Sequence, residues 1–372
     1  MKKFYETAKN TMHAACHSYG IVASVTQISN YKRIWTRDSV ICGLMGWIIK
    51  DQKISDSLKM SILQLAKHQG PNGEIPSNIE LDEKLQVINV SYGSTVGRID
   101  TLGWFVIGAI HVLKAEPDLE KKLMPVIKKA LKQYNCLEMN LGGLVYVPQG
   151  GNWADDYNVE GYLLYDQLVR LWALRCYEKY TQVKSYAKKL EELIQIKFWQ
   201  NEKEFWLCGY KPGSHDERFD FFAHILTWLL KLNTKKQMTD TIKFISEQRV
   251  NNTTLIPAFS PVVKEVDNEY SSLLNMAGPE FKNFPHCYHN GGVWPMLNGL
   301  WGLALYYNNL KEESEKICKD LVQVISANNY RFQEYFHGVT LEGEGTEPCA
   351  WSAATPLALY NLLNKKTRRL IC

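Results

Sequence analysis

Hydrophobic residues recur every three to four positions along most of the chain, which is the period of an amphipathic α-helix. This pattern predicts helices at residues 3–18, 38–50, 54–68, 100–115, 117–135, 158–180, 182–198, 218–231, 235–247, 289–308, 311–328 and 350–364. Strand signals are few and short, at Leu144–Val147, Phe205–Tyr210 and Thr254–Phe259. The chain is therefore predicted to be all-α, with short β segments between the helices.

The links between the predicted helices alternate between short and long. Short links fall near 51–53, 116, 181, 232–234 and 310, and long links at 19–37, 69–99, 136–157, 199–217, 248–288 and 328–349. Each short link can join an antiparallel helical hairpin, so all the long links should emerge at one end, where long loops usually carry function. This organisation predicts six hairpins closed into an (α/α)6 toroid, as one domain over residues 1–372. An irregular bundle or a solenoid is the alternative, although a solenoid should show a fixed sequence repeat, and none is visible.

Composition and charge exclude several classes of function. The 372 residues include 43 basic and 39 acidic side chains, a balance that does not indicate nucleic-acid binding. The longest apolar stretch, Val40–Ile49, is too short to span a bilayer, and no apolar leader follows Met1. Nine cysteines are spread singly, which is typical of reduced thiols, so we expect a cytoplasmic protein without a membrane partner.

Aromatic residues are abundant, with 11 Trp, 20 Tyr and 13 Phe. Aromatic rings pack protein cores but also stack on sugars. Five tryptophans lie at or next to the ends of the long links, beside charged side chains: Trp35, Trp104, Trp153, Trp294 and Trp351. We therefore expect these five rings to form the wall of a pocket.

Acidic residues precede predicted helices in the first two long links. Trp35, Arg37 and Asp38 together suit a hydroxyl-rich ligand, because they offer a ring face, a guanidinium and a carboxylate. Arg98 and Asp100 form a similar pair in the second link. Both Asp38 and Asp100 are also placed where a residue that only caps the next helix would stand, so either role is possible for each.

The third and sixth links carry the best candidates for acid–base chemistry. Asp155 and Asp156 follow Trp153, and one of them can cap the next helix while the other, its pKa raised by an apolar wall and a like charge, serves as a general acid. In the sixth link, Glu334 is flanked by aromatic residues and is a candidate general base. The two links lie opposite each other on a ring of six hairpins, which is the arrangement that glycoside hydrolysis requires.

Sites of other kinds are less well supported. His286, Cys287 and His289 are not accompanied by a second pair of ligands, so we expect no metal and interpret this run as donors of a sugar pocket. The sequence has no P-loop, no Gly-x-Gly-x-x-Gly after a strand and no Gly-x-Ser-x-Gly. No cofactor is expected.

Four motifs resemble those of the six-hairpin glycosidases, above all the neutral/alkaline invertases and the glucosidase domain of glycogen-debranching enzymes. The motifs are Trp35-Thr36-Arg37-Asp38-Ser39, Gly97-Arg98-Ile99-Asp100 with Trp104, Tyr288-His289-Asn290-Gly291-Gly292-Val293-Trp294-Pro295, and Glu334-Tyr335-Phe336 with Ala350-Trp351-Ser352-Ala353. They occur in the family's order over about residues 30–365.

The resemblance implies an (α/α)6 barrel and an inverting mechanism without a metal. It places the general acid on Asp155, with Asp156 as the alternative because the alignment needs a gap of one residue, and the general base on Glu334. It also implies that Arg37, Asp38 and Asp100 hold the sugar. The remaining residues expected to bind substrate are Trp35, Arg98, Trp104, Trp153, Asp156, His289, Asn290, Trp294, Tyr335 and Trp351.

We therefore expect a glycoside hydrolase that removes a terminal, α-linked glucosyl residue from a small carbohydrate with inversion. The chain has Asp155-Asp156-Tyr157 where the invertases carry Asp-Arg-Arg, which leaves sucrose specificity open. Two alternatives are an epimerase that transfers protons through His286, His289 or His337, and a sugar-binding protein without activity. A histidine pair at the pocket floor would favour the epimerase, and an Asp/Glu pair the hydrolase.

Overall fold

The computed structural model describes residues 2–26, 30–94, 96–140, 142–276 and 280–364. Its α-helices are α1 Lys2–Ala15, α2 Thr36–Ile49, α3 Gln52–Lys67, α4 Asp100–Ala115, α5 Glu120–Leu137, α6 Leu164–Thr181, α7 Ala187–Phe198, α8 Phe221–Leu229, α9 Lys235–Glu247, α10 Tyr270–Met276, α11 Pro295–Tyr307, α12 Lys311–Ala327 and α13 Ala350–Asn364, with a 3-10 turn at Pro117–Leu119. Each of the twelve predicted helices has a counterpart among them.

Six helices form a closed inner ring, in which α2, α4, α6, α8, α11 and α13 each contact the next and α13 contacts α2. Their sequences are apolar on all sides, which allows neighbours to surround them. For example, α4 buries every residue from Asp100 to Leu113. The outer helices are amphipathic; α12, for example, buries Ile317, Leu321 and Ile325 on one face. The predicted (α/α)6 toroid is therefore confirmed.

The sixth hairpin consists of two helices that are far apart in the sequence, because its inner helix α13 packs against α1. The backbone N–H of Ala350 donates to the carbonyl of Ala23 at 2.8 Å, which ties the start of α13 to the segment after α1. Inner helices approach each other closely where small residues allow it. A Cβ on Gly299 of α11 would lie 2.7 Å from the carbonyl carbon of Thr355 of α13.

Short antiparallel strands occupy the links. They are β1 Cys16–His17, β2 Gly20–Ile21, β3 Ile34–Trp35, β4 Asn78–Leu81, β5 Val87–Ser91, β6 Tyr162–Leu163, β7 Trp199–Gln200, β8 Phe205–Trp206, β9 Gly209–Lys211, β10 Ser214–Asp216, β11 Phe219–Asp220, β12 Phe259–Ser260, β13 Tyr335–Phe336 and β14 Gly343–Glu344. Two of the sheets have three strands, in the orders β3-β4-β5 and β10-β9-β6, and the others are pairs. In the first of these sheets Trp35 pairs with Asn78, which pairs in turn with Ser91.

Several predicted boundaries differ from the structure. No strand forms at Leu144–Val147, where Val147 makes only an isolated bridge to Gly161. The helix predicted at 158–180 begins at Leu164, because Gly161 takes a φ of 108° and β6 follows it. The helix predicted at 289–308 begins at Pro295, since proline favours the first helical position and Gly291 upstream has a φ of 94°. The short helix α10 lies inside a predicted long link.

The expectation of reduced thiols holds for seven cysteines, which are free, and is wrong for Cys176, which is disulfide-bonded. Cys372 lies outside the described residues. Within the described ranges, no helix combines the length and the apolarity needed to cross a membrane.

Candidate active site

The long links surround a cavity of about 430 Å³ at one end of the toroid. Five of the six links contribute lining residues, and link 199–217 contributes none. Eleven of the predicted site residues line it: Trp35, Arg37, Asp38, Arg98, Trp153, Asp155, Asp156, His289, Trp294, Glu334 and Trp351. The toroid thus brings together residues that are up to 316 positions apart in the sequence (35 to 351).

Arg37 and Asp38 lie in the first turn of α2, and neither Asp38 nor Asp100 caps its helix, because the caps are Trp35 and Ile99. Arg37 Nη1 donates to Asp100 Oδ2 at 2.6 Å, and the hydroxyl of Tyr165 donates to the same oxygen at 2.9 Å. Asp100 therefore orients Arg37 from behind. Burial raises the pKa of Asp38 to about 6, against the opposing charge of Arg37.

The adjacent carboxyl groups of the third link have different surroundings. Arg98 Nη2 donates to Asp155 Oδ2 at 2.5 Å, so Asp155 is ion-paired. Asp156 has no such partner among the described residues; burial first, and then the charge of Asp155, raise its pKa to about 6. Neither residue caps a helix, because α6 begins at Leu164 with Leu163 as its cap. Neither carboxyl group is therefore used to cap a helix, and both line the cavity.

Glu334 stands on the opposite side of the ring, just before β13. Its backbone is fixed by a 2.9 Å hydrogen bond to the carbonyl of Thr346, and its Oε2 accepts from the Thr346 N–H at 3.3 Å. Its Oε1 accepts from the hydroxyl of Tyr31 at 2.7 Å. Burial raises the pKa of Glu334 to about 7, although the bond from Tyr31 opposes this effect. This carboxyl group is therefore able to exchange a proton near neutral pH.

Aromatic rings form the wall between the carboxyl groups. His289 stacks on Trp294, with ring centroids 5.2 Å apart and planes at 4°, while Trp153 meets His289 edge-on at 4.9 Å. Burial lowers the pKa of His289 to about 3, so the ring is neutral. His289 Nδ1 and Trp351 Nε1 are buried without a hydrogen-bond partner in the part of the chain that the structure describes. Hydroxyl groups of a ligand would satisfy them.

The cavity also separates the two enzymatic interpretations of the sequence. Of the three histidines of the epimerase interpretation, His289 lines the cavity, whereas His286 and His337, with ring centroids 6.0 Å apart, do not. Carboxyl groups flank it instead, and across the described ranges no group of three or more His, Cys, Asp or Glu is arranged to hold a metal ion. The arrangement favours hydrolysis over a histidine-based epimerase.

Comparison with protein families decides the assignment. The model of the alkaline and neutral invertases matches residues 176–365, just over half of the chain. The chain belongs to the alkaline and neutral invertase family. It is therefore a member of a glycoside hydrolase family, as the four motifs indicate. The matched segment contains Glu334 but not Asp155, and no curated protein matches the sequence.

Solved structures of glycosidases share the fold of this invertase-family protein. The GH63 mannosylglycerate hydrolase from Thermus thermophilus in complex with Tris has a TM-score of 0.71 at 13% identity, over 95% of this chain and 99% of its own. A bacterial glucoamylase complexed with acarbose gives 0.68 at 14% identity, over 97% of this chain and 55% of its own. A rhamnosidase from Klebsiella oxytoca with rhamnose bound has a TM-score of 0.65 at 13% identity, over 95% of this chain and 63% of its own. At such identities the likeness is one of fold.

Four predicted site residues of the invertase-family protein lie behind the cavity wall and do not line it: Asp100, Trp104, Asn290 and Tyr335. Trp104 Nε1 donates to the hydroxyl of Tyr165 at 2.8 Å, which in turn holds Asp100. Asn290 exchanges two 2.8 Å hydrogen bonds with the backbone of Val263 and so fixes the fifth link. These residues support the wall.

The structure adds lining residues that the sequence does not single out, among them Tyr31, Asn78, Ser91 and Lys282. Asn78 and Ser91 reach the cavity because they are in register with Trp35 across the sheet β3-β4-β5. The alternation of polar and apolar residues in β4, Asn78-Ile79-Glu80-Leu81, is a sequence signal for this sheet. Tyr31 lies in the first long link, where no pattern marks its bond to Glu334.

Tyr31→Phe should lower kcat by about 10- to 100-fold, because a hydrogen bond to a charged group contributes about 1.5–3 kcal/mol. The fold should be unaffected, since the ring remains. Measurement of kcat and melting temperature checks this. Tyr92→Phe is the matched control: its hydroxyl donates to the carbonyl of His68 at 2.7 Å, away from Glu334. Equal activity in the two variants would contradict the role of Tyr31.

Proposed function

We propose that this protein is an exo-acting, inverting glycoside hydrolase that removes a terminal α-linked glucosyl residue from a small carbohydrate. The observation that carries the proposal is the meeting of Asp155, Asp156 and Glu334 in one cavity, from links on opposite sides of the ring. Glycoside hydrolysis needs one carboxyl group on each side of the scissile bond.

Exo-action is supported by the shape of the cavity. Its volume lies in the lower part of the usual range for ligand pockets, which is roughly 300–1,000 Å³. The helix-end residues Arg37 and Asp38 line it, while behind them Asp100 and Trp104 are buried. The terminal residue of a sugar that enters the cavity would therefore stop at Arg37 and Asp38, and the chain could not extend past them. The buried, unpartnered His289 Nδ1 and Trp351 Nε1 add contacts for its hydroxyl groups.

In the proposed reaction, Asp155 acts in its protonated form, outside its ion pair with Arg98, and gives that proton to the glycosidic oxygen as the bond from C1 to that oxygen breaks. Glu334 takes a proton from a water molecule, whose oxygen bonds to C1 from the opposite face. Asp156 is the alternative donor. This inverting geometry needs roughly 6.5–9.5 Å between the two carboxyl groups, which leaves room for the water.

The family supports sucrose as one candidate substrate, and sucrose carries a terminal α-linked glucosyl residue. The test is to incubate the purified protein with sucrose, trehalose, isomaltose, maltose and short glucans, and to follow the first anomer released by NMR. We expect one monosaccharide from the non-reducing end, initially as the β-anomer. Release of the α-anomer first would contradict inversion, internal fragments would contradict exo-action, and binding without hydrolysis would indicate a sugar-binding protein.

The pH profile of kcat/KM is expected to be bell-shaped, with its maximum between about pH 6 and 7. With Asp156, the alternative donor, as the acid, its raised pKa, about 6, and that of Glu334, about 7, set this range; with Asp155 as the acid, Glu334 alone sets the lower limb. Below it both carboxyl groups are protonated and no base remains, whereas above it both are ionised and no acid remains. A rate that stays constant from pH 5 to pH 9 would contradict this pair.

A further inference from the structure

We propose that Lys282 is a further positioning residue of the site, whose ammonium group sets the pH range in which the carboxyl groups on both sides of the cavity work. The inference rests on the proposed function for the roles of those carboxyl groups. It starts from three features of Lys282: its lack of an ion-pair partner among the described residues, its aromatic surroundings and its contact with Tyr31, the residue that is hydrogen-bonded to Glu334.

Four cationic side chains line the cavity: Arg33, Arg37, Arg98 and Lys282. The three arginines are ion-paired, to Glu80, Asp100 and Asp155 respectively, at 2.5, 2.6 and 2.5 Å. Lys282 is half-buried and forms neither a salt bridge nor a hydrogen bond with another residue of the described ranges. Its charge is therefore not cancelled by one neighbour and acts on the whole cavity.

Two tyrosine rings hold the ammonium group in place. Lys282 Nζ lies 5.4 Å from the ring centroid of Tyr288 and 5.9 Å from that of Tyr31. A cation over an aromatic face at this distance is attracted by the ring quadrupole. Because the hydroxyl of Tyr31 donates to Glu334 at 2.7 Å, one side chain links the cation to the proposed base.

Charged and titratable groups from every neighbouring link share the cavity with this ammonium. They are Tyr31, Arg33, Arg37 and Asp38 from the first link and α2, Arg98 from the second, Asp155 and Asp156 from the third, Glu280, Tyr288 and His289 from the fifth link and its end, and Glu334 from the sixth. Burial raises the pKa of Asp156 and of Glu334, and Lys282 opposes it at both. Since Glu334 is the proposed base, loss of the ammonium should move the lower limb of the pH profile upward, and the upper limb follows it where Asp156 is the donor.

The test compares Lys282→Met and Lys282→Arg with Lys264→Met, which removes an exposed charge from the same link outside the cavity. Lys282→Met should shift the lower limb of the kcat/KM profile, which Glu334 sets, upward by about 0.5–1 pH units. Its kcat/KM at pH 5.5 should fall about 3- to 10-fold, since a shift of one unit is a factor of ten, with no loss at pH 8. Lys282→Arg and Lys264→Met should keep the wild-type limbs.

A second readout does not depend on turnover. Carboxyl 13C NMR, with the Glu334 signal identified by its loss in Glu334→Gln, follows the titration of Glu334 in each variant, and circular dichroism confirms folding. An upward shift of the Glu334 midpoint only in Lys282→Met supports the inference even if no sugar is hydrolysed, an outcome that would overturn the proposed function alone. Unchanged midpoints, or a higher KM at every pH with unmoved limbs, would overturn the role of Lys282.

Discussion

Glu334→Gln should lower kcat by about 10²- to 10⁴-fold, the usual contribution of a general base, because an amide cannot take the proton from the attacking water. The variant should remain folded, since the glutamine oxygen can still accept from Tyr31. The burial that raises the pKa of Glu334 makes its ionised form costly in the folded state. The contribution of Glu334 to the free energy of unfolding is therefore fully present at low pH, and it is lost as the pH rises from the ordinary range of a carboxyl pKa through about 7.

Glu334→Gln should accordingly equal or exceed the wild type in melting temperature at pH 8, while it loses turnover. Glu342→Gln, an exposed change in the same link, is the matched control and should retain full activity. Kinetics and thermal melts of the two variants provide the check. Turnover within about threefold of the wild type in Glu334→Gln would remove this residue from the mechanism.

Asp155→Asn should likewise lower kcat on natural sugars by about 10²- to 10⁴-fold, because the leaving oxygen would depart without its proton. The amide oxygen can still accept from Arg98, so the third link should keep its conformation. Asp156→Asn should lower kcat less than Asp155→Asn does, by about tenfold, because it removes a neighbouring charge but leaves the proposed proton donor in place. The measurement is kcat of both variants on the best natural substrate.

Glucosyl fluoride distinguishes the donor from the base, because fluoride leaves without protonation. Asp155→Asn should recover most of its activity on α-glucosyl fluoride, whereas Glu334→Gln should recover none. If Asp156→Asn shows the larger loss on natural sugars and the recovery on the fluoride, the donor is Asp156. Equal losses on both substrates for both aspartate variants would exclude either as the acid.

The sequence predicted the toroid well because link lengths report topology directly. Short links force antiparallel neighbours, so the long links had to gather at one end, and the cavity lies there. Helix starts were predicted less accurately where glycine intervened. Gly161, with a φ of 108°, keeps the chain out of the helix until Leu164, although the hydrophobic period extends to residue 158.

Roles that depend on distant backbone geometry could not be predicted from the sequence. Whether Asp38 and Asp100 cap helices depends on the φ and ψ of their neighbours, and the structure gives those positions to Trp35 and Ile99. Tyr31 meets Glu334 across 303 residues. No local pattern encodes such a contact, nor the place of Lys282 between two tyrosine rings.

The sixth hairpin has a consequence for the order in which the protein is assembled. Its helices, α1 and α13, stand at opposite ends of the described chain, so a ribosome releases one long before it makes the other. Contacts this far apart in sequence form late, because closing a long loop costs entropy before any contact repays it. The bond from Tyr31 to Glu334 belongs to the same closure. The proposed base thus acquires its hydrogen-bond donor only after the segments that follow α1 and precede α13 have come together.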